Sequence, residues 1–374
     1  MRPSRRRILF FIPSVSGGGA ERVFSTLIAH LDRDRFEIHL ALLQSPVQAA
    51  PEIPPDVLVY DLKNTRVRYA IPALVKLVWK IRPDALLSTL GHLNLALIAS
   101  RPLLPRGTKV LIRESTVASV FLRSGIPHPR VWQWLYRRLY RRADCVVCPS
   151  ATILEDLAKN FDVPREKLLC IYNPLDFEKV HSLAESSGNP YSGRGPHLIT
   201  AGHLSAEKGL DVLIDAMPTI LQSCPDARLH VLGEGPLLPD LLEQAKRLGL
   251  EERIYFLGFQ KNPWQYMRYA DIFVLPSRFE GLPNALLEAL ALGTRAVASD
   301  CAGSVREILD YDDTITLVPP ESTRELAKAI IAAAQFPRTA PAQFAEMKRR
   351  LRRFDLQQVV EEYSQILLSD SLTL

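Results

Sequence analysis

The chain has 374 residues, 47% of them hydrophobic and 23% charged, a balance that excludes a disordered or low-complexity protein. At roughly 100–200 residues per domain, the length calls for two domains, each able to bury a full core. The formal net charge of +5 is uneven: residues 1–190 hold 27 basic and 17 acidic side chains, and the remainder hold 19 and 24.

Near the start, Arg5-Arg6-Arg7 and the apolar stretch 8–15 imitate a secretory signal. The stretch is short, broken by Pro13 and followed directly by a glycine turn and a helical pattern, so a first strand is expected instead. Short apolar runs then recur at 8–13, 38–43, 57–61, 85–89, 110–113 and 145–148, with amphipathic stretches such as 21–31, 71–81 and 151–160 between them. That alternation predicts a parallel sheet with helices on both faces. Residues 186–196 (SSGNPYSGRGP) form a cluster of turn residues and are the expected linker. The alternation restarts at 197–201, 228–233, 254–258, 272–276, 295–299 and 314–318. Two doubly wound domains, 1–185 and 196–354, are therefore expected, with a helix in 355–374 packing back onto the first. No window reaches the ~18 apolar residues that span a bilayer, so membrane contact is expected to be peripheral.

The five cysteines, Cys145, Cys148, Cys170, Cys224 and Cys301, are odd in number and mostly in apolar runs. They read as buried thiols of a reducing compartment. Cys145 and Cys148 have redox-motif spacing, but on a strand they point to opposite faces.

Ligands of open parallel sheets bind where the carboxyl ends of strands lead into helices, and three such places stand out. The first expected strand runs into Gly17-Gly18-Gly19-Ala20-Glu21-Arg22, which lets a ligand approach backbone N–H groups at a helix start but lacks the G-x-G-x-x-G dinucleotide fingerprint. The second half opens with Gly202-His203-Leu204-Ser205-Ala206-Glu207-Lys208-Gly209, where Lys208 suits a phosphate at a helix entrance. The stretch from Pro276 to Leu290 places Glu280 in a loop and Glu288 about one turn inside a helix. Eight residues cover on the order of 12 Å along a helix, too far for a glycosidase pair, whose carboxylates stand roughly 5–9.5 Å apart. The two carboxylates can instead hold the ends of one elongated ligand.

Taken with Ile171-Tyr172-Asn173-Pro174-Leu175-Asp176 and Val231-Leu232-Gly233-Glu234-Gly235-Pro236, these stretches resemble the retaining family 4 glycosyltransferases of GT-B architecture. The glutamates match that family's E-x7-E arrangement. The Gly-Gly-Ala-Glu-Arg loop resembles bacterial transferases that build lipid-linked surface polysaccharides. The resemblance implies two Rossmann-like domains facing each other across a cleft. It implies hexosyl or N-acetylhexosaminyl transfer from a nucleotide-diphosphate sugar, UDP-linked in preference to GDP-linked, to a lipid-linked, polysaccharide or lipopolysaccharide acceptor.

By the same resemblance, Lys208 and the His203 position grip the diphosphate, Glu280 meets donor-sugar hydroxyls and Glu288 meets ribose hydroxyls. Gly281, Leu282, Pro283 and Asn284 offer backbone to diphosphate or sugar, Gly17, Gly18 and Gly19 close over the phosphates, and Gly258-Phe259-Gln260 lie near the base. The family has arginine where this chain has His203. Histidine offers a single donor and loses its charge near neutrality, so a weaker or more pH-dependent phosphate grip is expected. No metal or other cofactor is expected, since Asp32-Arg33-Asp34 and Asp310-Tyr311-Asp312 are unconvincing DxD sites. Retention then implies front-face attack. His92, with Asn94 and Glu114, follows first-half strands and is the acceptor-side candidate, with His92 the catalytic one.

Arg101 to Arg142 hold ten basic residues against one acid, Glu114, which calls for an anionic partner. Within it, 129–142 places Trp132, Leu135, Tyr136, Leu139 and Tyr140 on one helical face and Arg130, Arg137, Arg138 and Arg141 on the other, with Trp134 among the arginines. An aromatic in a basic face suits a helix resting on anionic headgroups. Nucleic acid is not expected, because no reader motif accompanies the arginines. The expected place is cytoplasmic, peripheral at the inner face of the membrane. The alternatives are an epimerase or phosphorylase of the same fold, and a non-catalytic nucleotide-sugar-binding protein.

Overall fold

A computed structural model describes residues 5–15, 18–44, 53–186, 188–301, 303–309, 315–336 and 344–369. The chain forms two compact units, Met1–Pro174 with Leu356–Leu374, and Leu175–Asp355. The first contains β1 (Arg6–Ile12), α1 (Gly19–His30), β2 (Phe36–Leu42), β3 (Leu58–Asp61), α2 (Val67–Ile81), β4 (Ala85–Thr89), α3 (Gly91–Ala99), β5 (Lys109–Arg113), α4 (Ala118–Phe121), α5 (Pro129–Leu139), β6 (Cys145–Cys148), α6 (Ala151–Phe161) and β7 (Leu168–Cys170). The second contains α7 (Phe177–Glu185), β8 (His197–Ala201), α8 (Leu210–Ser223), β9 (Arg228–Leu232), α9 (Leu238–Arg247), β10 (Ile254–Gly258), α10 (Pro263–Tyr269), β11 (Ile272–Leu275), α11 (Asn284–Ala291), β12 (Arg295–Ser299), α12 (Val305–Leu309), β13 (Ile315–Val318), α13 (Thr323–Ala334) and α14 (Phe344–Arg350). The chain then returns to the first unit as α15 (Leu356–Leu368).

The first sheet has strand order β3-β2-β1-β4-β5-β6-β7 and the second β10-β9-β8-β11-β12-β13. Their strand pairs are parallel, and both faces of each sheet are covered. That is why the strands read as unbroken apolar runs. On β1, Leu9 and Phe11 join the core beneath α2, α3, α5 and α6, while Ile8, Phe10 and Ile12 join the core beneath α1 and α15. Cys145 and Cys148 divide between the same two cores, as strand alternation requires. Cys170 is exposed and Cys224 half-buried, so the expectation of buried thiols fails for these two.

Helix α15 buries Leu356, Val359, Val360, Tyr363, Ile366 and Leu367 in the first unit. The Lys109 ammonium donates to Ile366 O at 3.1 Å, satisfying a carbonyl at the end of that helix. The domain boundary differs from the expected one. Residues 177–185 belong to the second unit, because His181 Nε2 lies 2.7 Å from Ala291 O and Asn262 donates to Leu183 O at 2.8 Å. Nor is 186–196 a linker: the Arg228 guanidinium donates to Ser192 O and Arg194 O at 3.1 and 3.0 Å, and Tyr191 stacks on His197 with ring centroids 4.5 Å apart. The chain passes between units at 174/175 and 355/356. Strand β7 was not expected, since three residues on a sheet edge carry too little apolar signal.

Tyr191, His197, His230 and Tyr255 form an aromatic row on the second sheet. Burial, then the neighbouring His197 and Arg228, pushes the His230 imidazole down to about 4. The unfolded chain therefore binds a proton there more readily than the folded one between pH 6.5 and 4. The stability contribution is complete above pH 6.5 and is lost as pH falls toward 4. Urea unfolding at pH 7.5 and pH 4.5 checks this: His230→Phe should recover about 2–3 kcal/mol of the wild-type acid loss, and an unchanged loss would contradict it.

Candidate functional site

In the second sheet, β8 is followed by β9 on one side and flanked by β11 on the other, so the order reverses between β8 and β11. Loops leaving adjacent strands diverge at such a point and leave a concavity at the carboxyl edge. Thr200, Gly202, His203, Lys208, Pro276 and Ser277 line it.

The two loops meet through an ion pair. Lys208 Nζ, from the β8 loop, donates to Glu280 Oε1 and Oε2, from the β11 loop, at 2.8 and 3.0 Å. Ser277 Oγ also donates to Glu280 Oε1, at 2.7 Å. The Glu280 side chain is 7% exposed and that of Lys208 27% exposed, and Lys208 lines the concavity. Burial works to lower the pKa of Lys208, but the charge and hydrogen bonds of Glu280 outweigh it and the net displacement is upward. The lysine is a fixed cation at any physiological pH.

Close backbone contacts hold the loops. Gly209 (φ 61°) rests on the Pro276 carbonyl and Gly233 (φ 130°) on that of Gly202, and a Cβ at either would overlap backbone. Both angles favour glycine. Outside the concavity, Arg278 grips Asp211 through two nitrogens at 2.9 and 2.7 Å and donates to Glu321 at 2.9 Å and to Ala206 O at 2.6 Å. Hydrogen bonding from Arg278 pushes the Asp211 carboxyl down.

The predicted residues fall as follows. His203 is exposed on the rim. Pro283 is the N-cap of α11. Gly281, Leu282 and Pro283 are buried, Asn284 is half-buried at the first helical position, and Glu288 is 6% exposed in the second turn. Phe259, at the carboxyl end of β10, is 65% exposed.

In the first sheet the order reverses between β1 and β4. Gly18 is the N-cap of α1 and Gly19 its first residue; Gly17 lies outside the described residues, as do Asp310, Tyr311 and Asp312. His92 is exposed in the first turn of α3, and desolvation of its ring pushes its pKa down. Asn94 and Glu114 are not available to an acceptor, because both are 0% exposed. Asn94 accepts from Ser88 Oγ at 2.7 Å and donates to Arg113 O at 2.9 Å. Glu114 accepts from the Tyr140 hydroxyl and from Ser115 N at 3.0 Å, and burial pushes its carboxyl up.

Ser277, Arg278 and Cys301 were not singled out from sequence. Ser277 stands three residues before Glu280, the one local sign of its role. Cys301 follows β12, and its thiol, pushed up to about 12 by burial and then by Glu280, belongs to the same charged cluster.

Residues 17–179 match the family described as Glycosyltransferase Family 4, and residues 195–335 the family described as Glycosyl transferases group 1. The N-acetylgalactosamine-N,N'-diacetylbacillosaminyl-diphospho-undecaprenol 4-alpha-N-acetylgalactosaminyltransferase of Campylobacter jejuni is 28% identical over 371 residues, covering 97% of this chain and 100% of that protein. Among solved structures, HepE of Anabaena in complex with UDP and glucose superimposes with a TM-score of 0.75 at 21% identity, over 98% of this chain and 100% of that one. WaaG, a glycosyltransferase involved in lipopolysaccharide biosynthesis, gives a TM-score of 0.75 at 15% identity, over 97% and 100%. Both share the GT-B arrangement of two Rossmann-like domains.

Proposed function

The chain belongs to the family 4 glycosyltransferases, and on that premise we propose that it moves a hexosyl or N-acetylhexosaminyl group from a UDP-sugar, in preference to a GDP-sugar, to a lipid-linked or polysaccharide acceptor, with retention at the anomeric carbon. The observation that carries this is the Lys208–Glu280 pair at the β8/β11 reversal. One member is a permanent cation lining the concavity and the other a carboxylate held in place, which suits a ligand with phosphate at one end and sugar hydroxyls at the other. The Campylobacter relative's printed activity, N-acetylgalactosaminyl transfer to a diphospho-undecaprenol-linked sugar, supports the lipid-linked acceptor. The HepE structures hold UDP and UDP-glucose, which supports UDP.

As the bond from anomeric carbon to phosphate oxygen breaks, negative charge grows on the departing diphosphate. Lys208 and the starts of α8 and α11 lower the barrier by opposing that charge without reorganising, and His203 adds a single hydrogen-bond donor from the rim. Fixed positive charge here does the work that a metal does elsewhere, so transfer proceeds without one. The acceptor oxygen attacks from the face the diphosphate leaves, and its proton passes to a phosphate oxygen of the leaving group. Glu280 orients the sugar through its hydroxyls, Glu288 the ribose, and the backbone of Gly281, Leu282, Pro283 and Asn284 the diphosphate or the sugar. Phe259 offers a face on which a base can stack. In the first domain, the His92 imidazole, whose pKa desolvation pushes down, accepts a hydrogen bond from the acceptor hydroxyl.

The acceptor is met at a membrane surface, at the cytoplasmic face. On α5, Tyr136 and Leu139 are buried, whereas Arg130, Arg137, Arg138 and the following Arg141 and Arg142 are exposed. Val131 and Trp134 are 56% and 62% exposed among them. Apolar side chains within a basic face are the arrangement that anionic headgroups hold. Among the described residues, no helix is long and apolar enough to cross a membrane.

Thermal unfolding with a panel of nucleotide sugars, UDP and GDP checks the donor: UDP ligands should stabilise the protein more than GDP ligands. Lys208→Ala should abolish that stabilisation and lower turnover by about 100- to 1,000-fold. Equal response of wild type and variant would contradict the assignment. For the membrane, the quadruple variant Arg137→Gln, Arg138→Gln, Arg141→Gln, Arg142→Gln should stop co-sedimenting with phosphatidylglycerol vesicles at about 0.15 M salt. Undiminished co-sedimentation would contradict this role for the helix.

A further inference from the structure

The turn after β12 grips the catalytic loop by its backbone. Ser304 is 0% exposed, and both its hydroxyl and its N–H donate to the Gly281 carbonyl, at 2.5 and 3.3 Å. Beside it, Gly303, at φ 133°, lies against the Glu280 carbonyl so closely that a Cβ there would overlap it. The carbonyls of two successive residues, 280 and 281, are therefore fixed from one side by two successive residues of another loop.

From the other side, the Glu280 carboxylate is fixed by Ser277 Oγ at 2.7 Å and Lys208 Nζ at 2.8 Å. Four loop residues thus determine where one carboxylate stands, and only Lys208 among them carries charge. A loop residue exposed to solvent needs no such frame. Buried Glu280 needs its two donors to offset desolvation; the further hold on its backbone fixes its position, and for a ligand-recognising carboxylate misplacement by about 1 Å costs on the order of 100-fold in rate.

We propose that Ser304 is a positioning residue for glycosyl transfer, acting through the Gly281 carbonyl to hold the Glu280 carboxylate in register with the donor sugar. This rests on the reading of the concavity as the donor site and adds to it a residue of the β12 turn. The hydroxyl, and not merely a small side chain, matters: alanine fills nearly the same space but leaves the Gly281 carbonyl with the single, longer bond from the backbone N–H. The effect falls mainly on the sugar end of the ligand, because the Lys208 ammonium and the start of α8, which meet the diphosphate, belong to the β8 loop and helix, which Ser304 does not touch.

The test compares wild type with Ser304→Ala. The readouts are the unfolding midpoint, UDP binding by calorimetry, and steady-state release of UDP from UDP-N-acetylgalactosamine or UDP-glucose, whichever the wild type hydrolyses. The expected result is a kcat reduced by about 10- to 100-fold, UDP affinity within about two-fold of wild type, and a midpoint little changed. Gly303→Ala, which pushes directly on the Glu280 carbonyl, should show the same split more strongly. A Ser304→Ala enzyme with wild-type kcat, or one in which UDP affinity falls as much as kcat, would overturn the proposal. A wild type that neither binds UDP nor releases it from a UDP-sugar would instead overturn the donor reading beneath it.

Discussion

A lysine and a glutamate that leave adjacent strands in opposite directions meet here at 2.8 Å, and the carboxyl edge of the second domain is arranged around that contact. It forms only where strand order reverses, because elsewhere in a parallel sheet neighbouring loops cross to the same side and close the gap. Burying Glu280 costs desolvation that its two donors offset. Lys208, half-buried, places a cation in the lining of the concavity. The remaining features hold these two side chains in place: Gly209 and Gly233 bring backbone against backbone, and Arg278 ties the outer side of both loops.

The same arrangement resolves an apparent conflict in the charge distribution. The second unit, Leu175–Asp355, has 20 basic and 24 acidic residues, yet it is the half assigned to a nucleotide diphosphate. Net charge governs long-range attraction, whereas binding depends on the few groups within a Debye length or less of the ligand. One lysine and two helix N-termini provide positive potential where it is used. The surplus of the first unit, 26 basic against 17 acidic residues, lies in part on exposed elements such as α5.

Strands were readable from sequence because both faces of each sheet are covered, so β1, β4, β8 and β11 appear as continuous apolar runs. Strand β7 escaped notice because three residues at an edge, one of them the exposed Cys170, leave no pattern. The turn-rich segment 186–196 looked like a linker because its composition is that of a loop, but composition does not reveal that Arg228 and His197 hold it against the second sheet. Lys208 was found from its place at a helix entrance, and Glu280 and Glu288 from their eight-residue spacing along one loop and the helix that follows it. Ser304 was not, since its partner is 23 residues away and a backbone carbonyl leaves no mark in sequence. Asn94 and Glu114 were misjudged for a related reason: polar residues after a strand suggest a site, and only the fold shows that Tyr140, Ser88 and Arg113 satisfy them internally.

The central claim is that Lys208 and Glu280 act as one unit on a shared ligand. A double-mutant cycle measures this most directly, using UDP release from a UDP-sugar by wild type, Lys208→Met, Glu280→Gln and the double variant. Residues that act together lose their effect together, so the double variant should be scarcely slower than the slower single variant, with a coupling of about 1–3 kcal/mol. If the two losses instead multiply, each side chain works independently, and the ion pair is an incidental contact rather than the core of a donor site.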